Sequence, residues 1–370
     1  MNSNTNQPKK PGKQGIVTKV LIVVVITIIT LTVFFQFVDF EETMTALRNV
    51  SGIYIVSAIL CLVFYLLLWP LSICIITRLS GLKNHFLDTY LIGQTEHFFN
   101  GVTPFSTGGQ PIQVYLYTKS GVSAAQSTGI ILTNFVAYLI ATNVLAIASL
   151  VLYGRFSVNF NASTSWMIFL GFIMNFFTLV FMILMATSKK IRDILKRFLL
   201  LLCKIKFIGK YLNKLVPVFD SYCENAQLAA RSIFKNKTGF VLAILVRGIS
   251  VLFYYAIPFF ILKALGVNLG WDVLPYTMLA SAFAITTMVW VPTPGGTGGI
   301  EFAFTTIFTT FVGVTMEVAL AGTLIWRGIT YYLLLIISFL FYLTFNLIIR
   351  KKYQLNKGEV EDDSCITERE

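Results

Sequence analysis

Five ionisable side chains stand inside sequence that is otherwise apolar: Glu96, His97, Arg247, Glu301 and Arg327. An ionised group at bilayer depth costs about 3 kcal/mol or more, so such residues are expected to face an interior and to pair. Arg327 is the best candidate to hold a phosphate, because its planar fork donates two parallel hydrogen bonds to an oxyanion. Glu96 and His97 could carry protons or touch a polar headgroup. The plainer reading is structural, with Arg327 paired to Glu301 and Arg247 to Glu96. Glu301 is also favoured by the dipole of the helix it opens. Catalytic chemistry finds little support. The second histidine is His85, so neither an HExxH metal site nor a Ser-His-Asp arrangement is expected. Five scattered cysteines form no CxxC pair, and no catalytic residue, metal or cofactor is expected.

These side chains flank a repeated motif. Residues 103–109 read TPFSTGG and residues 293–299 read TPGGTGG, identical at five of seven positions. Pro104 and Pro294 stop an incoming helix, and the glycines let the chain turn without a Cβ penalty. After Gly109 and Gly299 the sequence becomes helix-like again, so each motif precedes a helix N-terminus with free N–H groups. Thr103, Ser106, Thr107, Thr293 and Thr297 add hydroxyls. Irregular backbone at membrane depth is tolerated only where it faces protein or a watery cavity, and two such termini facing one cavity would suit a phosphate. The expected binding set is therefore Thr103, Ser106, Thr107, Gly108, Gly109, Gln110, Thr293, Gly295, Gly296, Thr297, Gly298, Glu301, Arg327 and Arg247, with Glu96 and His97 for proton coupling.

The elements that must position these residues are membrane helices. Of 370 residues 56% are apolar and 12% charged, more apolar surface than a soluble core of this size can bury. Apolar runs occupy about 17–38, 52–77, 124–152, 164–187, 239–264 and 319–349, each long enough to cross a bilayer. The first has a basic front but no small-residue cleavage site, and reads as a retained helix rather than a signal peptide. Two interrupted regions, 86–120 and 273–316, each hold one motif.

The net charge of +12 does not point to nucleic acid, because it is concentrated in loops. Twelve Lys or Arg fall between Lys189 and Lys237 against three acids, the positive-inside pattern. Within that segment Ile191, Ile194, Leu195, Phe198 and Leu199 share a helical face, which predicts an interfacial amphipathic helix. Counting sides from these charges makes 86–120 enter and leave from the cytoplasm and 273–316 from the exterior. The expectation is an all-α polytopic protein with about six full transmembrane helices plus two re-entrant hairpins in an inverted repeat, the plan of an alternating-access transporter. Eight full crossings have the same parity. The expected divisions are a basic N-terminus (1–16), a first membrane half (17–187), a basic cytoplasmic segment (188–238), a second membrane half (239–349) and a disordered tail (350–370), with both termini inside.

The stretches NGVTPFSTGGQPIQVYLY, PTPGGTGGIE and LIWRGITYYLLL, in this order, resemble the lysylphosphatidylglycerol synthase transmembrane, flippase-like family. This is the membrane domain of the multiple peptide resistance factor and of many stand-alone proteins. The likeness covers roughly residues 17–349. Pro292, Thr293, Pro294, Gly295, Gly296, Gly298 and Glu301 match its most specific stretch, and Arg327, Thr330, Tyr331 and Tyr332 match its last helix. Gln110 and Gln113 stand where the family often has an acid and an arginine. The resemblance implies translocation of a lipid, in the best-known member an aminoacylated phosphatidylglycerol, across the bacterial cytoplasmic membrane, with a role in resistance to cationic peptides. About twenty polar residues follow Arg350, where that member carries an aminoacyltransferase domain, so lysyl transfer is not expected.

The expected partners are membrane lipids, an anionic phospholipid or glycolipid as substrate, and a lipid synthase or glycosyltransferase beside them. The competing reading is an enzyme, or enzyme subunit, of lipid modification, which would form product without needing two leaflets. A scaffold recruiting a glycosyltransferase through its basic segment is a third.

Overall fold

The structure, a computed structural model, describes residues 45, 48, 50–82, 86–153, 162–204, 216–288 and 293–349. The expected helix at 17–38, His85, the 154–161 loop and the tail lie outside the described residues. Among the described residues every regular element is helical. Five helices among the described residues are long and apolar enough to cross a membrane.

Helix α1 (Gly52–Leu79) shows why periodicity is muted here. It is apolar all round, because one face meets protein and the other has no need to be polar in lipid. Ile53, Val56, Leu60, Phe64 and Leu67 form its exposed stripe, while Ala58, Leu62, Tyr65, Trp69 and Ile73 are buried. The next two helices, α2 (Phe86–Gly101) and α3 (Gly109–Lys119), flank the first motif. Then follow α4 (Ala124–Tyr153) and α5 (Ala162–Thr187). The basic segment gives two helices rather than one, α6 (Lys189–Cys203) and α7 (Val216–Lys235). They are tied by the Lys196–Asp220 ion pair and by Arg192 Nη1 at 3.6 Å from Glu224 Oε2. On α6, Ile194 and Phe198 stay exposed, as the amphipathic reading expects.

The second set repeats the order of the first. A long helix α8 (Lys237–Ala264) precedes the short α9 (Leu274–Met288); the second motif follows, then short α10 (Gly299–Val312) and long α11 (Met316–Ile349). Helices α1 and α8 have 28 residues each and lie side by side antiparallel. Ser51 N donates to Ala264 O at 2.8 Å at one end. At the other end Leu79 lies so near Gly239 that a Cβ there would stand 2.7 Å from Leu79 Cδ2.

Each of these paired helices contains a proline, Pro70 and Pro258, which removes a backbone donor and frees a carbonyl one turn earlier. In the first half the short helix before the motif answers it: Gln94 Nε2 of α2 donates to Leu66 O, the carbonyl freed by Pro70, at 2.5 Å. In the second half Ser281 Oγ of α9 donates at 3.1 Å to Tyr255 O, the carbonyl next to the one freed by Pro258. In each half the proline-containing turn of the long helix thereby holds the helix that delivers the motif.

Candidate functional site

Both motifs fold into the same turn. Thr103 O accepts from Ser106 N at 3.2 Å, and Thr293 O accepts from Gly296 N at 3.1 Å. Each turn has proline in its second place and a positive φ in its third, the pattern of a type II turn. The left-handed pair is Phe105 (φ 55°) and Ser106 (φ 51°) in the first copy, Gly295 (φ 61°) and Gly296 (φ 65°) in the second. The two turns meet: Pro104 and Pro294 face each other across an isolated antiparallel bridge. Proline has no N–H, so that pairing rests on the flanking backbone.

Most motif hydroxyls are used within their own turns or the helix end beside them. Thr103 Oγ1 donates to Phe99 O at 2.7 Å and accepts from Gly108 N at 2.8 Å. Thr107 Oγ1 donates to Pro104 O, Thr293 Oγ1 to Thr297 O, and Thr297 Oγ1 to Pro294 O. Short hydroxyl side chains reach nearby carbonyls more readily than a distant ligand. The start of α3 is likewise capped rather than open, since Asn100 Oδ1 accepts from Gly109 N at 2.8 Å.

Glu301 and Arg327 lock the second turn to α11. Glu301 Oε2 accepts from Gly298 N at 2.8 Å. Arg327 Nε lies 2.7 Å from Glu301 Oε1, an ion pair without hydrogen-bond alignment of the N–H. Its two Nη atoms have only long contacts to Gly295 O, 3.4 and 3.5 Å. Immediately after Arg327 the helix widens into a π-turn, Gly328–Leu333, which inserts an extra residue. From that turn Tyr331 donates its hydroxyl to Gly101 O at 2.9 Å.

Two turns beyond Tyr331, Ser338 bonds to α2. Its Oγ accepts from Phe98 N at 3.0 Å and donates to Gln94 O at 2.5 Å. Phe98 N and Gln94 O are an i, i−4 pair of α2, so the hydroxyl ties α11 to the helix backbone just before the first motif.

A cavity of about 800 Å³ lies where the two turns meet. Of the expected residues, Glu96, His97, Ser106, Thr107, Gln110, Gly295 and Arg327 line it. Thr103, Gly108, Gly109, Thr293, Gly296, Thr297, Gly298 and Glu301 lie outside its lining and build the turns behind it. The sequence reading missed Trp69, Asn100, Tyr138, Asn175 and Tyr254, which also line the cavity, as does Tyr331 of the last-helix pattern. Polar amides such as Asn175 within an apolar helix were the available signal; aromatic residues in membrane helices carry none.

Arg247 corrects an expectation. It is 1% exposed and stands behind the cavity wall, its guanidinium 3.9 Å from the Trp69 ring centroid. Its Nη2 donates to Asn134 Oδ1 at 2.7 Å, and among the described residues no ion pair joins it to Glu96 within 4.0 Å. The indole face and the amide occupy the guanidinium, while Gln113 Nε2 reaches Glu96 Oε2 at 3.4 Å. His97 stacks beside them, 4.8 Å from Trp69 and 5.3 Å from Tyr65 between ring centroids.

Long apolar helices, two matched helix-turn-helix breaks and a chamber at their junction define a multi-pass helical membrane protein with a chamber whose largely apolar wall carries a few polar groups. The chain belongs to the Lysylphosphatidylglycerol synthase TM region family, whose pattern matches residues 16–338 and so spans both motifs and Arg327. A UPF0104 membrane protein of Archaeoglobus fulgidus is 25% identical over 304 residues, covering 81% of this chain and 89% of its own length. Another UPF0104 membrane protein, from Methanothermobacter thermautotrophicus, is 24% identical over 310 residues, with 79% and 86% covered. The family is consistent with a role in membrane lipids.

Proposed function

We propose that the protein is a lipid translocase, moving a phosphate-bearing lipid between the leaflets of the cytoplasmic membrane. The observation that carries this reading is the chamber at the junction of the two motif turns, with Arg327 in its wall. The Nε of that guanidinium faces Glu301 at 2.7 Å, and its two Nη atoms, held only by long contacts to Gly295 O, would exchange them for a phosphate in a charge-assisted fork. The lipid tails stay in the bilayer while the headgroup enters the chamber.

The antiparallel course of α1 and α8, corresponding members of two sets with the same order, supports an inverted repeat. In this reading the α2–α3 and α9–α10 pairs are re-entrant hairpins from opposite faces. The 17–38 run supplies a sixth crossing, and the basic α6–α7 segment lies inside with both termini. A lipid synthase or glycosyltransferase on that side would supply the substrate.

The test is leaflet exchange of fluorescent phosphatidylglycerol and of a glycolipid in vesicles holding the purified protein. Removing Arg327 alone would strand Glu301, so the informative variant is Arg327→Gln with Glu301→Gln. Exchange by the wild type that is lost in the folded double variant is the expected result. Undiminished exchange removes Arg327 from the mechanism, and no exchange of any lipid by the wild type favours the enzyme-subunit reading.

A further inference from the structure

We infer that the chamber selects a headgroup in which an anionic phosphate is joined to an uncharged hydroxyl-bearing group, glycerol or sugar, and rejects one carrying an aminoacyl ammonium. The inference rests on the translocase reading above and narrows its substrate.

The first argument is a census of carboxylates. Between Val50 and Ile349 the acids are Asp88, Glu96, Asp193, Asp220, Glu224, Asp272, Glu301 and Glu317. Among these only Glu96 lines the chamber. Asp193, Asp220 and Glu224 sit on α6 and α7, and Glu301 is spent on Arg327 and Gly298 N. Glu96 is 6% exposed, with Gln113 Nε2 at 3.4 Å and the side chains of Asn100 and Trp69 also against its carboxylate. The charge of Arg247 acts on it as well. A lysyl group brings two ammonium charges, and a buried cation without a counter-ion is strongly disfavoured.

The second argument is the opposite surplus. Among the described residues, donors of the chamber wall are weakly used: the two Nη atoms of Arg327 have only long contacts to Gly295 O, and Trp326 Nε1 has no partner, nor has His97 Nε2. An ammonium has only donors and satisfies none of these, whereas phosphate oxygens accept and a hydroxyl both accepts and donates. The third argument is the rest of the polar wall. Asn100, Gln110, Thr142, Asn175 and Thr286 line the chamber with neutral amides and hydroxyls, the groups that match hydroxyls in either direction.

The experiment compares three fluorescent lipids in vesicles containing the full-length protein: phosphatidylglycerol, a phosphate-linked glycosyl lipid and lysyl-phosphatidylglycerol. The expected result is exchange of one or both of the first two, with lysyl-phosphatidylglycerol slower by about tenfold or more. The faster of the first two tells glycerol from sugar. The Asn175→Asp variant adds a carboxylate to the chamber wall at constant shape and is expected to raise lysyl-lipid exchange several-fold relative to phosphatidylglycerol. Equal or faster lysyl-lipid exchange by the wild type overturns the headgroup inference and leaves translocation standing.

A second readout does not need transport: the thermal stabilisation of detergent-solubilised protein by each lipid. Greater stabilisation by phosphatidylglycerol or the glycosyl lipid, narrowed in Asn175→Asp, supports the inference even if nothing is exchanged. In that case it is the translocase reading that fails. Equal or greater stabilisation by lysyl-phosphatidylglycerol overturns the inference in either case.

Discussion

The two motif copies share a backbone turn and five of seven residues, and differ at the two left-handed positions and in the groups that cap them. Each is a proline turn with two left-handed residues, but the first copy places Phe105 and Ser106 where the second has Gly295 and Gly296. In the second copy glycine is required twice over. A Cβ on Gly295 would overlap the Tyr331 ring, besides being strained at that φ. In the first copy Phe105 is 50% exposed and lines the chamber. A bulky residue held left-handed is uncommon and marks a place where the side chain is kept despite strain. The caps differ as well: a neutral threonine and asparagine close the first copy, whereas a carboxylate held by Arg327 closes the second. One turn presents side chains to the chamber; the other presents backbone and is bolted to α11.

Exchanging the turn residues is the strongest way to break this comparison. Gly295→Phe with Gly296→Ser adds left-handed strain of about 1–2 kcal/mol per residue and overpacking of about 1–3 kcal/mol. Little folded protein is expected on size-exclusion of the detergent extract. The reciprocal Phe105→Gly should fold, and its stability in a thermal unfolding assay should change by less than about 1 kcal/mol, since relieved strain is offset by the entropy of glycine. A stable Gly295→Phe variant would show that the second turn is not confined by Tyr331.

The charged cap comes next. Arg327→Ala should destabilise by about 3–5 kcal/mol because it leaves Glu301 buried and unpaired. Adding Glu301→Gln should recover most of that loss in a thermal unfolding assay, without recovering lipid exchange. The neutral cap is worth less: Asn100→Ala should cost about 1 kcal/mol, read the same way. Were Asn100→Ala to cost as much as Arg327→Ala, the contrast between the two caps would collapse.

The smallest effect concerns how α11 holds the first copy. Ser338→Ala removes the hydroxyl's bonds to Gln94 O and Phe98 N, which as an i, i−4 pair can bond each other, so stability should change by less than about 1 kcal/mol. Hydrogen exchange at the Phe98 amide should change little, since it has a helical partner in α2. Much faster exchange there would mean that the hydroxyl is the amide's main partner.

Much of this was legible in the amino-acid string. Long apolar runs announced the helices, since a bilayer demands continuous apolar length. Thr-Pro-Gly chemistry announced the two turns, because proline and glycine act on the chain locally. The pairing of Arg327 with Glu301 was one of two readings a buried charge allows, and the structure contains it. The partner of Arg247 was misjudged, since Asn134 and the face of Trp69 leave no trace in spacing or charge.

The sequence alone therefore determined that this is a helical membrane protein, where its chain breaks, and which few charges lie within it. Only the tertiary structure decided that the breaks meet at Pro104 and Pro294, and that Ser338 bonds to the backbone of α2. It also decided which polar groups face the chamber and which are spent behind it. Those are contacts between residues far apart in the chain, made by packing. Local propensity and hydropathy report only the chain's own neighbourhood and its solvent.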